Sequence, residues 1–235
     1  RLVGAREMIN NQNRYCLWLV DASPNDIKTS IHLKTRVASV KKLRLESKRA
    51  ATQKLADRAR EFGEIRQPQS RYLAIPRVSS ERRKYVPMAY FDPEIITNDS
   101  LQLIENAPFY IFSILQSRVF TVWNSTVSGR LESRFRISAE ITYNNFPFPQ
   151  LSKSNEISLN ESATAILEVR ERYPDSSLAD LYDFTSMPAD LASVHRSNDS
   201  LVLKTFGLPS QATNAEILEL LFEQCSKLVE EERLI

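Results

Sequence analysis

The chain has 235 residues, 42% of them hydrophobic and 26% charged, so it can bury a sizeable core as one large domain or two ordinary ones. Two distant cysteines, Cys16 and Cys225, exclude a disulfide-built secreted scaffold and form no metal or redox pattern. The net charge of +2 conceals an asymmetry: residues 1–90 carry 20 Lys+Arg against 8 Asp+Glu, residues 91–150 carry 4 against 6, and residues 151–235 carry 7 against 15. A front balance of +12 and a tail balance of −8 point to a polyanion partner for the front and a different task for the tail.

In chain order, Tyr15 to Val20 is a short apolar run ending at Asp21-Ala-Ser-Pro24, which predicts a buried strand and a turn. From Asn25 to about Phe62 the pattern is helical. Val40, Leu43, Ser47, Ala51, Leu55, Ala59 and Phe62 recur at spacings of three and four, as a core-facing stripe would. Lys41, Lys42, Arg44, Lys48, Arg49, Lys54, Arg58 and Arg60 fill much of the remaining surface, either as a solvated face or as phosphate contacts. Gly63 to Ser70 reads as a connector.

Arg71 to Phe91 reads as strand, charged loop, strand. Tyr72–Ile75 and Tyr85–Phe91 flank Arg77-Val-Ser-Ser-Glu-Arg-Arg-Lys84, with four cations and two hydroxyls in eight residues. Forked guanidinium donors and small hydroxyls on a rigid support suit phosphates and guanine edges, although a solvated hairpin loop has the same composition. Asp92-Pro93 starts a turn and Glu94 to Thr97 a short strand. Pro108 to Trp123 reads as one helix, with Pro108 in its first turn, Ile111, Leu115, Val119 and Val122/Trp123 buried, and Ser113, Ser117 and Arg118 off the stripe. Val127 to Ile141 alternates with period two, so Leu131, Phe135 and Ile137 would face a core while Arg130, Glu132, Arg134 and Arg136 face outward. Tyr143-Asn-Asn-Phe-Pro-Phe-Pro149 is expected to be an ordered, aromatic-anchored linker.

The tail is helical and acidic. Ser158-Leu-Asn-Glu161 and Thr213-Asn-Ala-Glu216 match the capping box and place helix starts near 159 and 214. Pro188 and Gly207 bracket a third helix, and the set reads as a small bundle. The expected class is therefore α+β, a mixed strand and helix domain over residues 1–150 followed by an all-α bundle over 151–235.

No catalytic constellation is visible. Two histidines, His32 and His195, stand apart from the cysteines, which argues against zinc, and His195 is expected to be structural. No Gly-x-Ser-x-Gly elbow occurs, and four glycines supply no cradle for S-adenosylmethionine or a nucleotide. The longest apolar runs fall far short of the roughly 18 residues of a membrane helix, and no signal peptide is visible. A cytoplasmic protein without membrane contact is expected. The chain begins at Arg1 without a methionine, so it reads as a piece of something longer and not as a complete enzyme.

Five stretches taken together resemble one family. They are Arg14-Tyr-Cys-Leu-Trp-Leu, Ile75-Pro-Arg-Val-Ser-Ser-Glu-Arg-Arg-Lys-Tyr-Val-Pro, Gly129-Arg-Leu-Glu-Ser-Arg-Phe-Arg-Ile-Ser, Tyr143-Asn-Asn-Phe-Pro-Phe-Pro, and Ser177-Leu-Ala-Asp-Leu-Tyr-Asp with Met187-Pro. Their order and spacing are similar to those of the MmeI-like (type IIL) restriction–modification enzymes and related adenine-specific DNA methyltransferases. Val194-His195 stands where Ala-His is common in that family, and Asn198-Asp199 where Leu-Asp is common. The resemblance implies a target-recognition domain over about 1–150 and a C-terminal helical domain over 151–235. It implies a parent that methylates adenine N6 at a specific DNA sequence, with the base flipped from the duplex. S-adenosylmethionine would bind in an upstream methyltransferase domain of that parent, with no cofactor in the present chain. The implied partners are double-stranded DNA and that upstream domain. Arg77, Arg82, Arg83, Arg134 and Arg136 are the expected DNA contacts, with Ser79, Ser80, Lys84, Tyr85, Ser117, Arg118 and Arg130 as further candidates. A non-catalytic scaffold whose basic face meets an acidic protein is the alternative, and RNA binding is weaker because no aromatic stacking platform is visible.

Overall fold

The computed structural model describes residues 1–232; the last three residues of the 151–235 segment lie outside the described residues. Two compact units emerge, Arg1–Arg14 together with the chain from Pro68 onward, and Tyr15–Gln67. In chain order the strands are Leu2–Val3 (β1), Tyr72–Pro76 (β2), Val78–Ser79 (β3), Ala89–Phe91 (β4), Ile96–Thr97 (β5), Leu101–Glu105 (β6), Gly129–Leu131 (β7) and Arg134–Arg136 (β8). The α-helices are Ala5–Ile9 (α1), Pro24–Thr29 (α2), Ile31–Leu45 (α3), Ala50–Lys54 (α4), Phe109–Leu115 (α5), Arg118–Val127 (α6), Lys153–Glu171 (α7), Leu178–Leu181 (α8), Ala189–Thr205 (α9) and Asn214–Glu232 (α10). The fold is α+β, with the strands in the front half and a helical C-terminal region. Among the described residues no helix is long and apolar enough to cross a membrane.

In the larger unit, β2 is the centre of a sheet ordered β4-β2-β6, both pairings antiparallel. All five of its residues are buried, as a near-continuous apolar run requires. Its alternation feeds two cores. Leu73 and Ile75 join the large cluster, while Tyr72 and Ala74 join a smaller one with Val3, Met8, Ile9 and Leu101. The smaller cluster is closed by β1, which pairs parallel with β5. Gly4 follows β1 where the chain passes Asn98 so closely that a Cβ would stand 2.6 Å from its side-chain nitrogen.

The large core runs without a break from the sheet into the C-terminal helices. Phe112 and Leu115 of α5, Phe120 of α6, Leu159 and Ile166 of α7, and Leu191 and Leu203 of α9 are all buried in one cluster with Leu73 and Met88. Phe146 anchors the Tyr143–Pro149 segment in the same core, meeting Phe120, Trp123, Phe148 and Phe206 edge-on. Thr213 and Glu216 form the expected capping box at the start of α10. Gly207, at φ +79°, lets the chain turn sharply after α9.

Several sequence expectations are corrected. Residues 108–123 form two helices, because Ser117 takes extended φ/ψ and its hydroxyl caps the Phe120 N–H at 3.3 Å. Helix α7 starts at Lys153, capped by the Ser152 hydroxyl on the Asn155 N–H at 3.1 Å, so Ser158 lies inside it. Residues 127–141 do not form one strand. They fold back as the β7–β8 hairpin through Glu132 at φ +58°, and Ala139–Tyr143 is a π-helical turn.

In the unit Tyr15–Gln67, the Tyr15–Val20 run has no strand partner and stays irregular, with Tyr15 and Leu17 exposed and Trp18 against Phe62 at 5.6 Å. The helical region is broken between Leu45 and Ala50, which ends the single stripe read from residues 40–62. Leu43 is 70% exposed and Val40 is exposed, while Ala56 alone among the helical residues of this unit is buried. Arg44 ties the pieces together by donating to the carbonyls of Leu55 at 2.7 Å, Arg58 at 2.8 Å and Glu61 at 2.7 Å.

Candidate nucleic-acid interface

The Arg71–Phe91 segment is more than a hairpin. Its outer strands pair as expected, with Tyr72 opposite Phe91 and Ala74 opposite Ala89. Between them, β3 leaves this sheet and joins a second one ordered β3-β8-β7, with Val78 opposite Arg136 and Ser79 opposite Phe135. The fold thus brings together two sequence-distant arginine-rich stretches. The Arg77 carbonyl accepts from the Ile137 N–H at 2.9 Å, and the Gln102 amide donates to the Ile137 carbonyl at 2.9 Å, fixing the second sheet to β6.

Beyond β3 the chain makes a tight turn. The Arg83 N–H donates to the Ser80 carbonyl at 3.2 Å and the Arg82 N–H to the Ser80 hydroxyl at 3.2 Å. Helices then grip the next residues. Thr121 of α6 donates to the Lys84 carbonyl at 3.0 Å, and the Gln116 amide donates to the Val86 carbonyl. Arg170 of α7 donates to the Met88 carbonyl at 2.8 Å. The Tyr85 hydroxyl donates to Asp199 of α9 at 2.7 Å, and its ring stacks on His195 at 4.1 Å.

The twelve expected contacts sort into three groups. Arg77, Arg82 and Arg136 are exposed, and their side chains make no hydrogen bond or ion pair among the described residues. Ser80 is half-buried beside them.

A second group carries charge that the protein already engages. Arg134 pairs with Glu132 at 2.6 Å. Arg130 stands opposite Phe135 in the hairpin, so it shares that residue's face and not that of Arg134 and Arg136. Its guanidinium lies 4.1 Å from the Phe135 ring and donates to the carbonyl of Ser133 at 2.9 Å and of Ser125 at 3.3 Å. Lys84 Nζ is 3.9 Å from Asp199, and Arg118 donates to Asn214 at 2.6 Å. Arg83 is half-buried, and burial lowers its pKa while the nearby Asp183 charge opposes that shift.

The third group is interior. Ser79, Tyr85 and Ser117 are 2%, 2% and 0% exposed, so their expected outward-facing roles are replaced by packing and capping. Burial, then the Asp199 charge, raises the Tyr85 pKa far above the ordinary phenol value.

The residues that support this surface lie outside the twelve expected contacts, on the helix where the sequence departs from the family pattern at Val194-His195 and Asn198-Asp199. Asp199 also accepts from the Arg118 N–H at 2.6 Å, and burial raises its pKa against the pull of those donors. Asn198 accepts from Ser113 at 2.5 Å and Ser162 at 2.8 Å and donates to the Ser113 carbonyl at 2.9 Å. His195 is fully buried, within 2.8 Å of the Tyr182 hydroxyl, and burial pushes its pKa down to about 3. The sequence signal was their register: His195, Asn198, Asp199 and Val202 follow Leu191 at steps of four, three, one and three, all on the buried face of α9.

In Tyr143–Pro149 the Asn145 amide donates to the carbonyls of Glu140 and Ile141, and Phe146 is in the core, as the expected aromatic-anchored linker would be. Among the described residues no three His, Cys, Asp or Glu side chains gather as a metal site.

Comparison with known proteins matches this architecture to one family in two parts. The family described as "MmeI, target recognition domain" matches residues 1–150, and "MmeI, C-terminal domain" matches residues 152–232. "DNA methyltransferase A" of Bacillus subtilis (strain 168) is 32% identical over 230 residues, covering 98% of this chain and 26% of that protein. A solved structure of the type IIL restriction–modification enzyme MmeI in complex with DNA superposes with a TM-score of 0.94 at 36% identity, covering 98% of this chain and 31% of that one. The chain therefore spans about a quarter to a third of the length of these relatives. It belongs to the MmeI family, with similarity to both its target recognition domain and its C-terminal domain.

Proposed function

We propose that this chain is the DNA-reading part of a site-specific adenine-N6 DNA methyltransferase. Residues 1–150 read the duplex and residues 151–235 support the reading surface. S-adenosylmethionine and the methyl transfer belong to another part of the parent protein. The observation that carries this reading is the pairing of Val78–Ser79 with Arg134–Arg136 in one small sheet, which brings the flanking Arg77 and the turn that follows beside Arg136 and leaves Arg77, Arg82 and Arg136 exposed. The superposition on a relative solved with DNA supports the same reading. Guanidinium forks suit guanine O6/N7 or phosphate, and a good bidentate base contact discriminates by about 1–3 kcal/mol. Arg134, Arg83 and Lys84 would contribute after releasing or sharing their carboxylate partners, and Arg130 and Arg118 follow them.

The test uses the full-length parent enzyme. Its methylated sequence is mapped in cells, and binding is then titrated with salt on duplexes with and without that sequence. A steep salt dependence together with preference for the mapped site is expected. Arg82→Ala or Arg136→Ala should relax one base of the site or reduce the salt slope by about 1. Weak binding with no sequence preference, and variants indistinguishable from the parent, would instead favour an acidic protein as the partner of the basic face.

A further inference from the structure

We propose that Asp199, on the buried face of α9, is a positioning residue for DNA reading, acting through Tyr85 to hold the basic turn in register. This rests on the reading above, that residues 77–84 face the duplex. Burying a carboxylate is costly, and an apolar side chain of similar size would serve packing alone at least as well. Asp199 is 7% exposed, and its protein partners are specific: the Tyr85 hydroxyl at 2.7 Å, the Arg118 N–H at 2.6 Å and the Lys84 ammonium at 3.9 Å.

Two of those three partners, Lys84 and Tyr85, are the residues on which the turn carrying Arg82 and Arg83 comes to rest. The third is the first residue of α6, the helix whose Thr121 holds the Lys84 carbonyl at 3.0 Å. One carboxylate therefore fixes the downstream end of the turn and the start of the helix behind it. The upstream end is fixed independently by the pairing of β3 with β8. Tyr85 has little freedom to move, because its ring is stacked on His195 at 4.1 Å and His195 is held in turn by Tyr182 at 2.8 Å. A guanidinium reading a base must be placed within a few tenths of an ångström to keep its fork aligned, and a turn clamped at both ends provides that. The acidic C-terminal region thus contributes to specificity through Asp199.

The test is a double-mutant cycle in the full-length parent, with two probes: a duplex carrying the mapped methylation site and a random-sequence duplex of equal length. Tyr85→Phe removes the hydroxyl and keeps the ring, and Asp199→Asn keeps an acceptor and removes the charge. Each is expected to lower affinity for the site by roughly tenfold while leaving affinity for the random duplex within about twofold. In an Arg82→Ala background Tyr85→Phe should lose most of that effect, since a misplaced turn has less left to misplace.

Equal losses on both duplexes, or effects that add to Arg82→Ala without coupling, would reduce Asp199 to a structural residue and overturn the proposal. Thermal melting of each variant separates folding from positioning; if Tyr85→Phe lowers folded occupancy at the assay temperature, the Asp199→Asn arm decides. Should Arg77→Ala and Arg82→Ala both leave binding to both duplexes unchanged, the DNA-facing reading fails first and the positioning proposal falls with it. If those variants lose binding while Tyr85→Phe and Asp199→Asn do not, only the positioning proposal fails.

Discussion

Residues 15–67 and the helices packed around Tyr85 use charge in opposite ways. The first unit carries 12 Lys+Arg against 6 Asp+Glu, displays most of them on helix surfaces, and buries little. Its ion pairs include Lys42–Glu46 at 3.8 Å and Arg66–Glu64 at 2.9 Å, which are at the surface, where each contributes little to stability. Around Tyr85 there are few charges, but Asp199 and Arg170 are drawn inside and matched to specific donors and acceptors. A count of cations therefore locates a basic surface, whereas the partners of each charge determine which cations remain available. Arg82 and Arg136 emerge from that sorting, and Arg130 does not.

The sharpest break in this comparison is in packing. Phe112→Ala, in a fully buried position of α5 against Tyr90 of β4 and Arg170 of α7, is expected to cost about 3–5 kcal/mol of unfolding free energy. Chemical denaturation of the chain would measure it, and a cost below about 1 kcal/mol would mean the core is not closed as described.

Next in size is the acid limb of stability. His195 is held neutral with a pKa near 3, against an ordinary value of 6.5. Between those values the unfolded chain binds a proton that the folded chain refuses, so stability falls as pH drops, by roughly 1.4 kcal/mol per pH unit. Asp199 acts in the opposite sense at the acid end, because a carboxyl whose folded pKa is raised gains relative stability as it protonates. Comparison with His195→Gln isolates the histidine: the variant should show a flatter decline between about pH 6.5 and 4. Parallel curves would show that the imidazole is not kept neutral by the fold.

The contrast also explains what could be read in advance. Strands β2, β4 and β5, the second capping box and the bracket of α9 were legible because local chemistry alone determines them: a continuous apolar run, Thr213 with Glu216, and Pro188 with Gly207. The misses came where long-range partners decide. Residues 127–141 alternate as a single strand would, and only a left-handed Glu132 and the pairing with β3 reveal the hairpin. Tyr85 and Ser117 looked like surface donors because their partners, Asp199 and the backbone of α6, are distant or unreadable from spacing. In residues 15–67, periodic apolar positions suggested a core that the break between Leu45 and Ala50 prevents.

That unit gives the two smaller predictions. Arg44 supplies three charge-assisted hydrogen bonds to the carbonyls of Leu55, Arg58 and Glu61, so Arg44→Met should destabilise the 50–61 segment by about 1–2 kcal/mol. Hydrogen exchange of amides 52–61 would report it locally, and unchanged protection there would mean the three contacts do not organise the segment.

The smallest expected effect is the most diagnostic of the difference between the two regions. Leu43 lies on the stripe that sequence periodicity assigns to a core, yet it is 70% exposed. Its truncation removes little surface that folding has withdrawn from water, so Leu43→Ala should change stability by no more than about 0.5 kcal/mol. The same substitution at Leu159, which is fully buried in α7 with the same apolar spacing, should cost about 2–5 kcal/mol. If Leu43→Ala in the full-length parent cost as much as Leu159→Ala, the apolar spacing of residues 40–62 would mark a surface covered elsewhere in the parent protein, and the basic helix would be a docking element as well as a charged one.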